Sequence, residues 1–514
     1  MQTATVRQVR MKLVKRLISA CVALTLCCSH AVAPALASGA IPHLNLPSMG
    51  TVAGADLTLH EERELGEQLM QRIRSADSYL TDAETLDYLS RLGHRLVVAG
   101  GAQPFNFFFF PVREKSLNAF ALPGGFIAVH TGLIVAARTE SELAGVIGHE
   151  IGHVTQRHIA RTLEQNKGSL AMTIGSLLLA LLAARAGGSS GGDAAMAAVM
   201  GTQAALIQKQ LAYSRDAERE ADRVGLLTLT NAGFDPNGMQ AFFERLNQAN
   251  RQYESPSLAY LSTHPLTSER MSDMQLRTRA MPKQTHVDSL DFLLIQQRSR
   301  VLQETRYDGW LSVSKFFENN LTTATGQYKA AYHYGLSVAL SRMNKKHKAL
   351  EHARLAVQSS PQHNVLLDKN LAQAEFEHAK TPQEKDVALL IAKQMTQKHP
   401  YSTMVAETYA DLLSQAGRHQ EVVRYLRHQE AITKYDPDYH ALLARSYEAL
   451  GQRSLFHAAT GNMYALIGND EAAAYQFALA QKAADGDFYV MSEIDAKLRE
   501  YRRRALDKKK NEAR

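Results

Sequence analysis

Two histidines of this chain, His149 and His153, stand four residues apart, and Glu150 directly follows the first. In an α-helix that spacing places both imidazoles on one face, one turn apart. Two such imidazoles can hold one zinc ion, while the glutamate takes a proton from the water that the metal acidifies. The flanking residues favour a helix, because Ser141-Glu142 is typical of a capped start and the apolar run Leu143 to Ile147 follows.

A second predicted helix, which begins near Leu211, carries carboxylates at the same helical spacing. Glu218 and Asp222 are four residues apart and therefore share a face. We expect Glu218 to be the third metal ligand and Asp222 to accept a hydrogen bond from the far nitrogen of a ligand histidine. Alone, these residues would suit a charged, solvated helix face, but the histidine motif favours the ligand interpretation. Glu220 points to another face and is the weaker candidate.

A third cluster comprises Thr263-His264-Pro265 and, a few residues later, Arg270. His264 precedes a proline, which predicts an extended or turn segment rather than the middle of a helix. It could donate to the oxyanion of a tetrahedral intermediate, or occupy the fourth zinc position when substrate is absent; the sequence leaves both open. Arg270 could stabilise the same developing charge. Three other histidines have no matching partner pattern and are expected to be structural or exposed: His60, His130 and His158.

The segment before the histidine motif predicts a small β-sheet. Phe105 to Val112 is an aromatic strand, and Leu117 to Leu122 and Phe126 to Thr131 form a hairpin around Pro123-Gly124-Gly125. A peptide substrate could add to the edge of such a sheet as an extra strand, next to the metal. Asn118, in that hairpin, is a candidate for holding the substrate backbone, although turn residues of this kind are common without any such role.

The N-terminus is typical of an export signal. Three basic residues between Lys12 and Arg16 precede an apolar run from Leu17 to Cys28, which is too short for a membrane-spanning helix. Ala35-Leu36-Ala37 then offers a cleavage site, so residues 1–37 are predicted to be a signal peptide that is cleaved near Ala37. This predicts export to the periplasm.

The composition of the remaining chain narrows its chemistry. All three cysteines lie within residues 1–37, so a mature chain would have neither disulfides nor cysteine-ligated metal. Five of the 58 basic residues also lie there, which leaves 53 against 51 acidic ones. A nearly neutral protein gives no reason to expect nucleic-acid binding. The basic tail, residues 501–514, is expected to be solvated, with an anionic membrane surface or acidic partner as the alternative.

The stretch from Ser169 to Ala184 is almost wholly apolar and is followed by a flexible joint, Gly187 to Gly192. Three interpretations remain open: a buried helix, an amphiphilic hairpin that touches a membrane or membrane protein, and a true span. The joint predicts that residues 165–210 form a mobile segment near the active site.

The C-terminal half indicates helical repeats. Gly417 and Gly451 are 34 residues apart, the period of tetratricopeptide repeats. We predict about four degenerate repeats of paired helices between residues 325 and 500, with residues 364–400 fitting only if they contain an insertion. An unrelated helical bundle is the alternative. Repeats of this kind provide a concave partner surface and no chemistry.

The combined motifs resemble those of the HtpX-like peptidases, which are gluzincin-type zinc metalloproteases with glutamate as third ligand. The resemblance covers about residues 55–280 and includes the hairpin from Asn118 to Gly125. It implies one zinc ion per chain on His149, His153 and Glu218, with Glu150 as the general base and Asp222 behind the ligands. It also strengthens the roles proposed for His264 and Arg270. Because clear membrane spans are lacking, the chain is more similar to the exported BepA-type branch.

We therefore expect a mainly helical α+β protein: a zincin-like metalloprotease domain over residues 38–310 with a small β-sheet, then an all-α repeat domain. The resemblance implies a periplasmic zinc endopeptidase that degrades misfolded or misassembled outer-membrane proteins and aids their assembly. It further implies that the repeats dock on the outer-membrane assembly machinery. The alternative function is a chaperone or assembly factor that binds through its repeats and has only latent peptidase activity.

Overall fold

A computed structural model of the chain describes residues 57–74, 76–101, 105–165, 214–252 and 259–512. The predicted signal peptide and cleavage site, the apolar stretch from Ser169 to Ala184 and most of the predicted mobile segment lie outside these ranges. All of the described residues belong to one compact unit. Among the described residues, no helix combines the length and apolar character needed to cross a membrane.

Helices surround a small sheet in the first half of the described chain. Its helices are α1 (Leu59–Arg74), α2 (Ala83–Ala99), α3 (Thr131–Ala136), α4 (Glu140–Thr155), α5 (His158–Gln165), α6 (Arg215–Asn231), α7 (Asn237–Gln252), α8 (Ala259–Thr263), α9 (Ser268–Ala280) and α10 (Leu290–Leu302). Its strands are β1 (Phe108–Val112), β2 (Ala119–Leu122) and β3 (Phe126–His130).

The second half is entirely helical in the described residues. Its helices are α11 (Tyr307–Leu321), α12 (Gly326–Arg342), α13 (Lys346–Ser359), α14 (Val365–His378), α15 (Pro382–Lys398), α16 (Thr403–Gln415), α17 (His419–His428), α18 (Glu430–Thr433), α19 (Pro437–Ala449), α20 (Arg453–Leu466), α21 (Asp470–Ala483) and α22 (Phe488–Glu512). The predicted α+β class, mainly helical with a small sheet, is confirmed.

The three strands form one sheet in the order β1-β3-β2. The predicted hairpin is confirmed: β2 pairs antiparallel with β3, and a turn at Pro123–Gly125 joins them, with Gly124 in the left-handed region at φ 76°. β1 runs parallel to β3 and begins at Phe108, not at Phe105 as predicted. The reason is the register, because Phe108 pairs with Phe126, the first residue of β3.

The repeats consist of five helical hairpins between residues 326 and 512, rather than about four: α12–α13, α14–α15, α16–α17, α19–α20 and α21–α22. Gly417 and Gly451 close equivalent turns, each with φ near 75°. In both turns the following amide bonds back to a carbonyl five residues earlier, as Arg418 does to Leu413. Asn344 takes the same left-handed conformation in the first hairpin. The stretch that seemed to need an insertion is hairpin α14–α15.

One hydrophobic core runs from the sheet into the repeats. It includes Leu89 of α2, Ile147 of α4, Phe292 of α10 and Tyr334 of α12, and it continues to Val405 of α16. The core therefore crosses the predicted boundary between residues 310 and 325. The division into a protease domain and a repeat domain stays a prediction.

A buried network of charges lies in the same junction. Asp82 caps α2 and forms an ion pair with Arg298 of α10. Nη2 of Arg298 is 2.6 Å from Asp82 Oδ2. The same guanidinium lies 3.0 Å from Glu84, and Lys369 of α14 binds Glu84 at 2.6 Å. All four side chains are at most 10% exposed. Because buried charges require partners, this network fixes the first repeats against α2.

Substitution of Lys369 by Met should lower the free energy of unfolding by about 3–5 kcal/mol, because it removes one partner from a buried carboxylate. Urea denaturation measures this change. The control is Arg354→Met, which breaks the ion pair with Glu375; Arg354 is 62% exposed, so we expect a loss below about 1 kcal/mol. Equal losses of unfolding free energy in the two variants would contradict the inference that the buried network stabilises the fold.

Asp82→Asn should show a pH-dependent loss of stability. Burial raises the pKa of Asp82, but Arg298 more than offsets this and holds the pKa well below its ordinary value. A lowered carboxyl pKa stabilises the fold fully above the ordinary value, about 3.9, and the stabilisation is lost as pH falls through the folded pKa. Asparagine still caps a helix, so only the charge is removed. The stability difference measured by urea at pH 7 should therefore shrink at pH 3; a constant difference would contradict this account.

Candidate metal centre

Helix α4, which carries the histidine motif, is buried on all sides from Glu140 to Val154. Its N-cap is Thr139, whose side chain accepts from the amide of Glu142, and not Ser141 as the sequence suggested. Ser141 instead lies inside the helix and accepts from the amide of Asp235. A helix buried all round can point polar side chains at a neighbouring helix without meeting solvent.

Helix α6 approaches α4 at backbone distance. A Cβ on Gly152 would lie 3.0 Å from the Ala221 carbonyl oxygen, and one on Gly225 would lie 2.8 Å from the His149 nitrogen. Any larger residue at these positions would separate the helices. This contact brings the carboxylates of α6 within reach of the imidazoles of α4. Ser214 caps α6, so the described part of this helix begins at Arg215.

Four side chains converge between α4, α6 and the segment after α8: His149, His153, Glu218 and His264. The Nε2 atoms of His149 and His153 are 2.9 Å apart, and Nδ1 of His264 lies 3.4 Å from His149 Nε2. Glu218 oxygens lie 3.5 Å from His149, 3.4 Å from His153 and 2.9 Å from His264. All four residues are at most 1% exposed.

These separations suit a tetrahedral metal ion. Ligands that surround zinc at about 2.0–2.1 Å stand about 3.3–3.4 Å apart, close to the distances between these donor atoms. Three imidazoles and a carboxylate are also donors that zinc accepts. The residues present therefore fit a zinc ion. His264 follows α8 directly, and its position in the cluster favours the ligand alternative, although Nε2 of the same ring lies 3.5 Å from Glu150.

Asp222 and Arg270 stand behind the ligands. Asp222 Oδ1 lies 3.0 Å from Nδ1 of His149, where it can fix the tautomer of that ring. Arg270 donates two hydrogen bonds of 2.7 Å to Asp222. The same guanidinium lies 2.6 Å from Glu218 and donates to the Pro265 carbonyl. The predicted oxyanion role of Arg270 would require it to leave these acceptors. Its geometry instead suits a residue that orients two carboxylates.

Glu150 lies at the same centre, fully buried, and neither carboxylate oxygen has a hydrogen-bond partner of good geometry. Burial raises its pKa to about 7, although His264 acts in the opposite direction. In contrast, burial would raise the pKa of Glu218, but His264 and the hydrogen bonds of both motif histidines hold it well below its ordinary value. The two glutamates therefore differ in protonation, as a proton acceptor and a metal ligand require.

Asn118 directly precedes β2, the outer strand of the sheet. It is 3% exposed; its main-chain oxygen accepts from His130, while its side-chain oxygen has no partner. Its main-chain oxygen thus faces β3, and the role of Asn118 in holding a substrate backbone stays a prediction.

Three further residues lie near the centre. The sequence did not single out Tyr260, and it gave His158 only as a structural or exposed residue and Glu220 only as the weaker ligand candidate. Tyr260 stacks on His264 with ring centroids 4.5 Å apart, and its buried hydroxyl has no partner. His158 Nδ1 lies 2.9 Å from Nδ1 of His153, and Glu220 lies 3.1 Å from the other nitrogen of His158. Tyr260 lies on the short helix α8, and nothing in the sequence around it indicates that it packs on His264. His158 is buried, so the expectation of a structural or exposed residue misses its contact with a ligand.

Comparison with known proteins agrees with this geometry. The model of Peptidase family M48 matches residues 84–278. A putative β-barrel assembly-enhancing protease of Vibrio cholerae is 41% identical over 290 residues, which are 56% of this chain and 57% of that protein. The match thus spans little more than half of the Vibrio relative.

Three further proteins are similar to parts or most of the chain. The β-barrel assembly-enhancing protease of Escherichia coli K12 is 30% identical over 466 residues, 90% of each chain. A mitochondrial metalloendopeptidase of Schizosaccharomyces pombe is 29% identical over 223 residues, 43% of this chain and 62% of that one. A solved thermophilic TPR protein of Thermus thermophilus aligns at 16% identity with a TM-score of 0.24, over 41% of this chain and 99% of that chain.

Zinc should raise the thermal stability of protein that has first been stripped with a chelator, because binding to the folded state alone shifts the unfolding equilibrium. The gain is about 2.7 kcal/mol at a hundredfold excess over the dissociation constant. Glu218→Gln should abolish most of the gain by removing a ligand charge. Glu269→Gln, on an exposed residue that forms an ion pair with Arg219, is the control and should keep the gain. Differential scanning fluorimetry measures both; equal gains would argue against Glu218 as a ligand.

Proposed function

This chain belongs to the family of β-barrel assembly-enhancing proteases, and we propose that it is a periplasmic zinc endopeptidase acting on misfolded or misassembled outer-membrane proteins. The observation that carries the proposal is the convergence of three imidazoles and Glu218 beside the buried, unbonded carboxylate of Glu150. The names of the bacterial relatives support the substrate class, because closed β-barrels are the form in which proteins span outer membranes.

We assign the metal to His149, His153 and Glu218. A zinc ion held there would polarise a peptide carbonyl and acidify a water molecule. Glu150 takes the proton of the attacking water and returns it to the leaving amine. Its pKa of about 7 suits both transfers near neutral pH. Arg270 and Asp222 keep Glu218 and His149 in place while the charges at the centre change.

His264 has two roles that fit its position. Its Nδ1 lies among the ligand atoms, where it would be a fourth ligand to a metal in the absence of substrate. Its Nε2 faces Glu150, on the side where the reacting carbonyl would develop negative charge. In the first role His264 holds the enzyme latent until a client replaces it.

The outer strand β2 provides a site for the substrate backbone. Among the described strands it pairs with β3 alone, and it packs against α4, which carries Glu150. An extended peptide that added to β2 would bring its carbonyls next to the metal ligands by main-chain hydrogen bonds. Asn118, with its unpartnered side-chain oxygen, could hold an amide of that peptide. This mode selects unfolded segments, because a folded client offers no free strand.

The repeats supply a surface for protein partners. They pack against the sheet domain and leave a cleft of about 510 Å³, lined by aromatic residues of β1 and by α16 and α19. We assign clients and the outer-membrane assembly machinery to the repeat surface, and an export signal to residues 1–37. Contact of the segment around Ser169 with a membrane surface is a further part of this proposal, whereas nucleic acid has no part in it.

The decisive experiment compares degradation of an unfolded outer-membrane protein by the purified mature chain and by its Glu150→Gln variant. We expect the rate to fall by about 10²–10⁴-fold, the usual contribution of a general base. Zinc content should stay unchanged, because Glu150 is not a ligand. Glu218→Gln, measured beside it, should lose both activity and zinc.

Equal cleavage by wild type and Glu150→Gln would refute the peptidase assignment and indicate a contaminating protease. Absence of cleavage by either protein favours a latent enzyme if His264→Ala restores activity. If that variant is also inactive, the chain acts as a chaperone or assembly factor through its repeats.

A further inference from the structure

The two histidines of the motif have different support on the side away from the cluster. For His149 that support is Asp222, which Arg270 holds. For His153 it is another imidazole: Nδ1 of His153 lies 2.9 Å from Nδ1 of His158. Nε2 of His158 lies 3.1 Å from a carboxylate oxygen of Glu220.

This second series of hydrogen-bonded side chains is buried at His158 and becomes more exposed towards its end. His158 is 2% exposed, and the Glu220 side chain is 14% exposed. Arg161 lies 3.0 Å from the same oxygen of Glu220 and balances its charge. Both series of side chains therefore end in a carboxylate that is paired with an arginine. Behind His149 the carboxylate lies next to the ligand imidazole, whereas behind His153 a second imidazole lies between them.

The positions of the nitrogen atoms determine where the protons lie. Two ring nitrogens 2.9 Å apart form a hydrogen bond only if one of them carries hydrogen. Nε2 of His153 faces the other donor atoms, so its lone pair must remain free for a cation. The proton of His153 is therefore on Nδ1, and His153 donates to Nδ1 of His158. His158 then carries its own proton on Nε2 and donates to Glu220, so both rings remain neutral.

The backbone between the two histidines makes this contact possible. Arg157 adopts φ 54°, a left-handed conformation that is uncommon for residues other than glycine. It ends α4 and turns the chain so that His158, at the start of α5, faces back towards His153. The Arg157 side chain binds Glu62 of α1 with Nε at 2.6 Å from the carboxylate, which holds the turn in place.

We propose that His158 and Glu220 are positioning residues for the metal ligand His153. They fix its tautomer and ring orientation, and the Glu220 charge makes its Nε2 a stronger donor to the metal. Neither residue touches the substrate. The inference rests on the proposed metal site and adds two residues to it.

The test compares four variants of the full mature chain for zinc affinity, by competition with a chelator at fixed pH. His158→Leu keeps the bulk but removes the acceptor, whereas His158→Asn can place an amide oxygen near the former Nδ1. Glu220→Gln removes the terminal charge. His130→Asn is the control, because His130 is equally buried but bonds Ser116.

We expect His158→Leu to weaken zinc binding by about 10–100-fold, the usual effect of losing such a partner. His158→Asn should recover most of that loss, and Glu220→Gln should lose less than His158→Leu. The control should bind zinc like wild type. The visible absorption of the cobalt-substituted protein should shift in His158→Leu and return in His158→Asn, which reports ligand geometry independently of activity.

Zinc affinity of His158→Leu equal to that of wild type, or to that of the control, would overturn the proposal. So would a His158→Asn variant that binds zinc no better than His158→Leu. If His158→Leu does not fold, His158→Asn and Glu220→Gln provide the test. Wild-type zinc affinity in both of these variants would also overturn the proposal. Failure of wild-type protein to bind zinc would instead refute the proposed function itself.

Discussion

The close crossing of α4 and α6 is the constraint on which the metal centre depends. At Gly148, Gly152 and Gly225 the two helices meet backbone to backbone, with no room for a side chain. Only at that distance can carboxylates of α6 reach both imidazoles of α4 and also the nitrogen behind His149. The glycines thus contribute to the site as much as the donors do, although they carry no functional group. The motif residues alone would leave a pair of histidines without a third ligand.

The parts of the site that follow from helical spacing could be predicted from the sequence. His149 and His153, and likewise Glu218 and Asp222, share helix faces, and the structure brings all four to one centre together with His264. The contact between His153 and His158 could not be predicted, since it requires a left-handed Arg157 that no propensity indicates. The contacts of Arg270 depend on how α9 packs on α6, which is a tertiary feature. The sequence could therefore indicate Arg270 as a residue of the site but not its contacts with Asp222 and Glu218, and its oxyanion role stays a prediction.

The fold, too, could be predicted only where local sequence patterns determine it. Turn chemistry located the hairpin at Pro123–Gly125, and the 34-residue spacing of Gly417 and Gly451 located two equivalent repeat turns. The equivalent turn at Asn344 has no glycine, so the 34-residue glycine spacing does not extend to the first hairpin, although the predicted repeats begin at residue 325. Long-range charge pairs are harder still: Glu84 and Lys369 are 285 residues apart and meet only because the repeats fold back on α2. Neither the sequence around Glu84 nor the sequence around Lys369 indicates that these two residues form a pair.

The continuous core has a mechanical consequence. In the described residues, apolar side chains and the network around Glu84 join α2 to α12 and α14. Close-packed interiors transmit strain rather than absorb it. A load applied to the first repeats is therefore carried into α2, which packs on β1 and on α4. The first repeats are thus coupled by packing to the helix that carries the histidine motif, whereas the later repeats have apolar cores of their own.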